Sequence, residues 1–570
     1  MDSVTNARIS ALVGAFSNDG FVVDKNKDVF DHQGKIGIVA THKSASIGRT
    51  GKYKKAYYVE GSPHSMGYLM GLMAEPTISR MCTQFAKTCL TAFINISSPP
   101  ELVNILGTIL DDVANELSKP IYSAVPDQYK EELEGILDGC KQSNSATPVT
   151  MDALWVLNVG FDALLAFVYT FKLPFKKTFP IELEHKHFRI PMMCNGFSVF
   201  GTDQNNEPYH YMGRDFMFPT GGVFQDTATK VIYNPDKGIP LVSLSAPGII
   251  GSITAMNRNG VGIGVQMSPA GNCNSAQPGL NSLLLNRHVI QNAKNMQEVI
   301  QIMAESQRGV SWIYIVGDGT DGKDQACVIE AGEKVDQIDF LSYPPTSLSE
   351  GVLLPVKNML NYLSTGDLGG LMVRMHNYQY PYNYQIFNSP LINDFDANYL
   401  AYLYDVKLEY SYIYNSADFS MNGFIDASWT DRNCPMAHYF APIRHNPGNF
   451  VIATNHFLIP EMRLCAMNPA SDFIAQEHWD DIQWRYDELS SLMNEALKNN
   501  VMTKDKAKEI IDFLSPSRSF KEYYNKNNDD LHDVTVQGAL SLLDLKNLTI
   551  ESRYGYYSDE WVKISLKNFF

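Results

Sequence analysis

The spacing of hydrophobic and polar positions divides the chain into a helical first part and a strand-rich second part. From about residue 61 to 171, apolar residues recur three and four positions apart, as in GSPHSMGYLMGLMAEPTISRM and ELVNILGTILDDVANEL, which predicts helices. A basic stretch with three prolines, FKLPFKKTFPIELEHKHFRIPMM, follows and is typical of an exposed connector that ends directly before Cys194. Residues 1 to about 60 mix short apolar runs with turn residues and predict no firm element.

Strand signals begin at Cys194. CNGFSVFG and YHYMGRDF flank the turn TDQNNEP, which predicts a hairpin whose first strand opens on the cysteine. SITAMN and VGIGVQM flank an Asn-Gly dipeptide, which supplies the positive backbone angles of a tight turn, and so predict a second hairpin. A helical stretch (LLLNRHVIQNAKNMQEVIQIMAES) and two strand runs (WIYIVGDG and QACVIEAG) follow. Strand pairs followed by helices predict a layered α+β domain.

Residues from about 340 to 445 break this regularity, because Tyr, Asn, Pro and Asp dominate there. We interpret this region as an insertion that covers one side of the core, either lining a substrate pocket or serving as a Tyr-rich packing surface. Regular structure is predicted again in NFVIATNHFLIP, in a helix around WDDIQWRYDELSSLMNEALKNN and in closing strands within TVQGALSLLDLKNLTIESRYG. The predicted organisation is a helical segment, 1–193, and a second part, 194–570, that carries the insertion.

Length, charge and cysteine usage narrow the class of protein. A chain of 570 residues exceeds what one hydrophobic core usually organises. The net charge of −16 would repel a phosphate backbone, so we expect no nucleic-acid partner. The eight scattered cysteines favour a reducing compartment, and the first residues carry no signal-peptide pattern, so a cytoplasmic location is expected. The apolar run from 151 to 171 contains Asp152, Asn158 and Asp162, which favours a buried helix over a membrane span.

Cys194 is the candidate nucleophile because of where it stands. Chain cleavage before it would leave a thiol and a free α-amine on one residue. The reference pKa values of these groups are about 8.5 and about 8, so the amine is able to take the thiol proton near neutral pH without a histidine. A strand-opening cysteine is also a common small core residue, so the position alone leaves both roles open.

The order of several motifs favours the catalytic role. GSPHSMGYLMG, DALWVLNVGFD, CNGFSVFG with GRDF, AMNRNGVGIG, LNRHVIQNAKNMQEV, ATNHF, QWRYDEL and the C-terminal strands resemble the isopenicillin-N acyltransferase-like family, relatives of choloylglycine hydrolases and acid ceramidase. These blocks span about residues 58 to 565, and the Tyr-rich region is the main unmatched part. The resemblance implies an N-terminal-nucleophile (Ntn) hydrolase fold, which is an αββα four-layer sandwich, and autocatalytic cleavage before the cysteine. It implies no metal and no cofactor.

The resemblance also assigns roles to individual residues. Cys194 matches the nucleophile, and Arg214 in GRDF matches an arginine beside it, which would bind a substrate carbonyl or carboxylate and favour the thiolate. Asn455 in ATNHF matches an asparagine whose amide supports the oxyanion. Arg485 in WRYDEL matches an arginine that helps to hold the site together. Each of these residues also has a structural interpretation. Arg214 would form a surface ion pair with Asp215, Asn455 would be a turn residue at a strand end, and Arg485 would lie on a solvated helix face.

Two positions depart from the family pattern. Relatives often carry an aspartate three positions after the hairpin arginine, where it holds the new α-amine, and here that residue is Met217. Asp215 directly follows the arginine, but adjacent strand residues face opposite ways. Either a local twist lets Asp215 substitute, or another group anchors the amine. The residue before the cysteine is Met193, whereas the penicillin acyltransferase has a small residue there.

Weaker motifs favour structural roles. Gly260, Gly262 and Gly264 resemble a dinucleotide-binding loop, but they lie inside a predicted hairpin and not between a strand and a helix. The acids of VGDGTDGKD are three residues apart, whereas a calcium loop requires a spacing of two, so a turn between strands is predicted.

We therefore expect an autoprocessing hydrolase or acyltransferase that acts on a small-molecule acyl amide or acyl thioester through an acyl-Cys194 intermediate. Residues 1–193 are expected to stay bound as a light chain. The rival enzyme is an uncleaved, papain-like cysteine hydrolase that uses Cys194 with His210 or His456. The rival from another class is a non-catalytic ligand-binding protein on the same fold. The sequence names neither the acyl and amine groups nor the oligomeric state.

Overall fold

The structure is a computed structural model. It describes residues 3–48, 50–85, 88, 115–163, 166, 194–217, 222–268, 274, 276–277, 279–320, 325–334, 370–376, 448–455, 479–513, 537–555 and 559–570. The predicted connector before Cys194, His456 and most of the predicted Tyr-rich insertion lie outside these residues.

Three of the described helices begin where a side chain caps a free backbone N–H group. Ser62, Thr150 and Asn295 each accept a hydrogen bond from the backbone N–H three residues later. The Asn295 cap begins a new helix, so the helical stretch predicted as one element forms two, α6 and α7. The described helices are α1 (Ser3–Asn18), α2 (Pro63–Arg80), α3 (Asp127–Ser143), α4 (Met151–Trp155), α5 (Val223–Thr227), α6 (Ser282–Asn292), α7 (Met296–Glu305), α8 (Trp479–Lys498) and α9 (Lys504–Phe513), with π-helical turns at Met81–Phe85 and Val156–Gly160 and a 3₁₀ turn at Leu566–Asn568.

The described strands form two sheets. They are β1 (Phe21–Val22), β2 (Val29–His32), β3 (Lys35–Ser46), β4 (Tyr53–Gly61), β5 (Asn195–Thr202), β6 (Pro208–Met217), β7 (Thr229–Pro235), β8 (Leu241–Ser245), β9 (Thr254–Asn257), β10 (Val261–Met267), β11 (Trp312–Asp318), β12 (Ala326–Ala331), β13 (Leu371–Met375), β14 (Phe450–Ala453), β15 (Gln537–Asp544), β16 (Thr549–Tyr554) and β17 (Val562–Ser565). The larger sheet has the order β1-β3-β4-β7-β8-β9-β10-β11-β12-β13, with β2 paired to β3. The smaller sheet has the order β14-β5-β6-β15-β16-β17. Only the β4–β7 pair is parallel among the described pairs.

Both predicted hairpins are confirmed. β5 pairs with β6 directly after Cys194, and β9 pairs with β10 around the Asn-Gly turn. The predicted strand runs around Trp312 and Ala326 also pair, as β11 and β12. Leu371–Met375, inside the region predicted as an insertion, forms the outermost strand of the larger sheet beside β12.

The prediction that segment 1–193 is helical is wrong for residues 21–61, whereas residues 3–18 form helix α1. Strands β1–β4 lie between residues 21 and 61, and β3 and β4 are inner strands of the larger sheet. The reason is that both faces of β3 are buried: Ile38 packs in one core and Val39 in another. A strand buried on both faces has no simple alternation of apolar and polar residues, so the sequence carries no period-two signal there.

In the described part of the chain, three clusters of buried apolar side chains hold the layers together. One lies between helices α2, α3, α6 and α7 and one face of the larger sheet. A second combines residues of both sheets, such as Ile315 of the larger sheet and Met212 of the smaller sheet. A third packs helices α8 and α9 against the smaller sheet. The chain is therefore a mixed α/β protein with two sheets and flanking helices, which agrees with the predicted α+β class.

Glycines bring helices α2 and α3 unusually close. Gly67 and Gly71 face Gly135 and Gly139, four residues apart on each helix, so that each pair lies on one helix face. A methyl group at Gly71 would lie 2.2 Å from the carbonyl oxygen of Ile136, and one at Gly139 would lie 2.1 Å from that of Tyr68. The glycines of the GSPHSMGYLMG block therefore serve helix packing. Helix α2 continues to Phe85, which borders the cavity described below.

We predict that Gly71→Ala destabilises the protein by about 1–3 kcal/mol, because the added methyl group forces the two helices apart. Gly14→Ala is the matched control: it also lies within a helix, nothing lies within 4 Å of its added methyl group, and it should stabilise α1 by up to about 1 kcal/mol. Urea unfolding of both variants measures the difference. Equal stabilities of the two variants would contradict the close packing.

Candidate active site

The pairing of β14 with β5 places Asn455 beside Cys194. Ala453 lies opposite Gly196 in this antiparallel pair, and continuing the register by two residues brings Asn455 opposite Cys194. Both residues are buried. The Oδ1 atom of Asn455 accepts a hydrogen bond from the backbone N–H of Cys194 at 2.9 Å. The nitrogen that would become an α-amine after cleavage therefore has a side-chain partner already in place.

The other end of the Asn455 amide reaches the larger sheet. Its Nδ2 atom donates to the carbonyl oxygen of Met267, on β10, at 2.7 Å. One contact is a backbone donor and the other a backbone acceptor, so the orientation of the amide group is chemically determined. An amide nitrogen carries two hydrogens, and Met267 accepts one of them.

Arg485 on helix α8 holds the backbone of Cys194 and its neighbour. Its Nη1 atom donates to the carbonyl oxygen of Cys194 at 2.9 Å and to Oδ1 of Asn195 at 2.5 Å. Its Nη2 atom donates to Oδ1 of Asn455 at 3.2 Å. Arg485 is buried, so the alternative of a solvated helix face does not apply. The arginine fixes the carbonyl oxygen of Cys194 while Asn455 fixes its nitrogen.

The thiol of Cys194 borders an apolar cavity. Its Sγ atom lies 3.6 Å from the carbonyl oxygen of Met217, the residue at the position where relatives often carry an aspartate. The cavity has a volume of about 90 Å³. Its described lining is mostly aliphatic and aromatic and includes Phe161, Val265 and Trp312. Such a surface suits an apolar organic group next to a reactive thiol.

Arg214 lies between the two sheets and makes no surface ion pair. Its guanidinium donates to the backbone carbonyls of Asp215 and Val265, and its Nε has no hydrogen-bond partner in the described part of the chain. A methyl group at Gly264 would lie 2.9 Å from Cδ of Arg214. One glycine of the GVGIGV run therefore makes room for the arginine, and β10 lies in the hairpin predicted for this run.

Asp215 faces away from Arg214, as strand alternation requires, and lies opposite Asn195 on β5. It is buried, and neither carboxylate oxygen has a hydrogen-bond partner within the described ranges. Burial raises the pKa of Asp215 to about 8, against the opposing effect of Arg214 and two further arginines. In the structure the backbone N–H of Cys194 donates to Asn455, and neither carboxylate oxygen of Asp215 accepts from it.

His210, one of the two histidines named for the papain-like alternative, is not beside Cys194. His210 hydrogen-bonds to Ser198 at 2.8 Å and to the carbonyl oxygen of Asp318 at 3.1 Å. It lies opposite Phe200, five residue pairs beyond Asn195, which is on the order of 15 Å along the strand. Burial lowers its pKa to about 3, so it is a neutral residue of the sheet interface. The other candidate, His456, lies outside the described residues.

The acidic residue of the cavity was not predicted from the sequence as part of the site. In the sequence, Asp162 serves only as evidence against a membrane span. In the structure, its side chain borders the same cavity as Cys194. An acid inside an otherwise apolar helical run is a signal that could have identified it. Among the described residues, no helix is long and apolar enough to cross a membrane, and no three His, Cys, Asp or Glu side chains cluster closely enough to hold a metal ion.

Comparison with known proteins yields distant similarities. No protein-family model matches the chain. An uncharacterized protein of Archaeoglobus fulgidus is 26% identical over 515 residues, which are 90% of this chain and 66% of that protein, just under two thirds of its length. No function is attached to that relative.

Three solved structures also align. They are a Caenorhabditis elegans N-acylethanolamine-hydrolyzing acid amidase ortholog (TM-score 0.30, 9% identity, 61% of this chain and 93% of that chain), a mutant of conjugated bile acid hydrolase from Clostridium perfringens (0.30, 10%, 65% and 92%) and penicillin V acylase from Agrobacterium tumefaciens (0.25, 10%, 66% and 86%). TM-scores of this size do not assign a function.

We predict that Asp215 makes stability fall with rising pH. Its folded-state pKa, about 8, lies above the ordinary value of 3.8, so its contribution is complete below about pH 4 and is lost as the pH rises towards 8. Asp215→Asn cannot titrate, so its free energy of unfolding should gain more than about 1 kcal/mol relative to wild type between pH 5 and pH 8.5. Urea unfolding at both pH values measures this, with Asp127→Asn, at an exposed helix start, as the control. If the difference in the free energy of unfolding between Asp215→Asn and wild type does not change with pH, the titration of Asp215 is ruled out.

Proposed function

We propose that the chain is an autoprocessing cysteine hydrolase or acyltransferase of the Ntn type, which cleaves or transfers the acyl group of a linear amide or thioester through an acyl-Cys194 intermediate. One observation carries this proposal. Asn455 holds the nitrogen of Cys194 and Arg485 holds its carbonyl oxygen, while the thiol borders an apolar cavity. A cysteine that served only as a small core residue would need none of these side-chain contacts.

The first chemical step is activation of the thiol. Cleavage before Cys194 would convert its backbone nitrogen from an amide into an amine without moving it from Asn455. The Oδ1 atom of Asn455 would accept one N–H of the new amine, and the lone pair of the amine would then point towards the thiol of Cys194. The amine then takes the proton from Sγ, and the thiolate attacks the acyl carbon, so that a C–S bond forms and the carbonyl oxygen becomes an oxyanion.

Stabilisation of the oxyanion falls to Asn455 and the arginines. The Nδ2 group is held by Met267 through one hydrogen and has its second hydrogen for the developing negative charge. Arg485 donates to Oδ1 of the same amide, which makes the amide N–H groups more acidic. Arg214 places a buried positive charge at the end of the β5–β6 hairpin, which favours the thiolate.

Collapse of this intermediate completes the transfer. The C–N or C–S bond to the leaving group breaks, and the leaving group takes the proton that the α-amine holds. The acyl group remains on Cys194 as a thioester. Water, or an acceptor amine or thiol, then attacks the thioester and restores the thiol. Every proton transfer in this sequence uses groups of Cys194 itself, so no histidine is required.

The finer architecture that we propose is an αββα sandwich with residues 1–193 as a bound light chain. The three apolar clusters support four layers, in the order helices, larger sheet, smaller sheet, helices. Strand β4, which precedes Cys194 in the chain, pairs with β7, which follows it. The ammonium group of Lys54 donates to the carbonyl oxygen of Tyr554 at 2.6 Å and lies 3.2 Å from the Asp559 carboxylate. These contacts would hold the fragment after cleavage. Free cysteines at 82, 140, 194 and 327 support the proposal of a reducing, cytoplasmic location.

Limited alkylation with iodoacetamide at pH 8, followed by peptide mapping, tests the nucleophile. We expect alkylation at Cys194 and a matching loss of turnover on a panel of N-acyl amides. Cys140→Ala is the matched control: burial raises the pKa of that thiol to about 12, so Cys140 should stay unmodified and the variant fully active. An unmodified Cys194 would contradict the proposal and favour a binding protein. A Cys194→Ala variant with normal turnover would show that another residue is the nucleophile.

The same panel tests the oxyanion donor. Asn455→Ala, measured on its processed fraction, should lower kcat by about 10²–10³ with a smaller effect on KM, because the donor acts on charge that exists only in the transition state. A variant with unchanged kcat would remove Asn455 from the mechanism.

A further inference from the structure

The cavity beside Cys194 contains one acidic side chain that the proposed chemistry does not use. Asp162 is buried, with 3% of its surface exposed. Its Oδ2 atom accepts a hydrogen bond from the Ser282 hydroxyl at 2.6 Å, and its Oδ1 atom accepts one from the Trp312 indole N–H at 2.9 Å. Aspartate, serine and tryptophan all line the cavity. Each carboxylate oxygen keeps a lone pair beyond the one that its protein partner uses.

The negative charge of Asp162 has no positive partner among the described residues that line this cavity. None of the described residues that line it is a lysine, arginine or histidine. Burial raises the pKa of Asp162 to about 7, and only the hydrogen bonds from Ser282 and Trp312 oppose that rise. A buried carboxylate is normally paired with a cation, because removing an uncompensated charge from water is unfavourable.

The other polar side chains of the cavity are already committed to the fold. Asn158 donates to the carbonyl oxygens of Leu154 and Gly248 and accepts from the N–H of Ile250, so its amide joins the π-helical turn to the loop before β9. Ser282 donates its hydroxyl proton to Asp162. Within the described lining, Asp162 is therefore the acceptor that a ligand would meet.

We propose that Asp162 determines substrate specificity, by selecting acyl compounds whose apolar portion ends in a primary ammonium group. The apolar wall would take the hydrocarbon chain, and the carboxylate would accept a charge-assisted hydrogen bond from the ammonium group. An ammonium group compensates the buried charge, which a hydroxyl group does not. The proposal rests on the proposed function for its assumption that this cavity is the acyl-substrate site.

Alkylamines test the proposal without any chemical step, because they contain no bond that the enzyme cleaves. Calorimetric titration of the wild-type protein at pH 8 with each n-alkylamine from four to eight carbons, beside the n-alkanol of the same length, measures the selectivity. We expect the best amine to bind at least about tenfold more tightly than its alcohol, because hydrogen bonds to charged groups are the stronger class. The preference should shrink at pH 6, where Asp162 takes up a proton.

Two variants separate recognition from a merely structural role. Asp162→Asn should abolish the preference for the amine, while Ser282→Ala, which keeps the carboxylate, should retain it. If Asp162→Asn does not fold, the pH dependence in the wild type decides the question. Equal binding of amine and alcohol, or a preference that survives Asp162→Asn, would overturn the proposal.

The outcome is also separable from that of the proposed function. A reactive Cys194 without amine selectivity would overturn only the role of Asp162. Amine selectivity beside an inert Cys194 would keep the role of Asp162 as a cation-binding residue and overturn the hydrolase.

Discussion

The side chain of Asn455 ties together three parts of the molecule, and the site depends on it. Its oxygen accepts from Cys194 on the smaller sheet and from Arg485 on helix α8, and its nitrogen donates to Met267 on the larger sheet. All of these groups are buried, and a buried polar group without a partner destabilises a fold by about 1–3 kcal/mol. The edge of the smaller sheet, its outer helix and the larger sheet therefore have to meet at one point, and that point is the candidate nucleophile.

Close approach of the two sheets makes this meeting possible. Glycines remove side chains at contacts between the two sheets: Gly264 on β10 leaves room for Arg214, and Gly196 on β5 leaves room for Gln266 and Ile315 of the larger sheet. The arginine and Asp215, adjacent in sequence, then occupy opposite faces of the smaller sheet, one positive and one acidic, both out of solvent. Burying two ionisable residues in this way lowers stability, and natural proteins keep such features chiefly at functional sites.

Local sequence signals predicted the elements that carry the site. The hairpin that opens on Cys194 and the turn before β10 follow from strand alternation and Asn-Gly chemistry, and the motif order pointed to Asn455 and Arg485. Two features could not be read locally. Strands β3 and β4 are buried on both faces over much of their length and lack alternation. The contact between Asn455 and the nitrogen of Cys194 joins residues 261 positions apart. The meeting of Asp162 with Cys194 in one cavity likewise depends on tertiary packing, which no pattern in one chain encodes.

Intact-protein mass spectrometry of purified wild type beside Cys194→Ala tests the central claim most directly. We predict that the wild type separates under denaturing conditions into two fragments that meet between Met193 and Cys194, while the variant remains a single chain of full mass. If the wild type and the variant both remain at full mass, self-cleavage is contradicted, and with it the role of the Cys194 α-amine as the base.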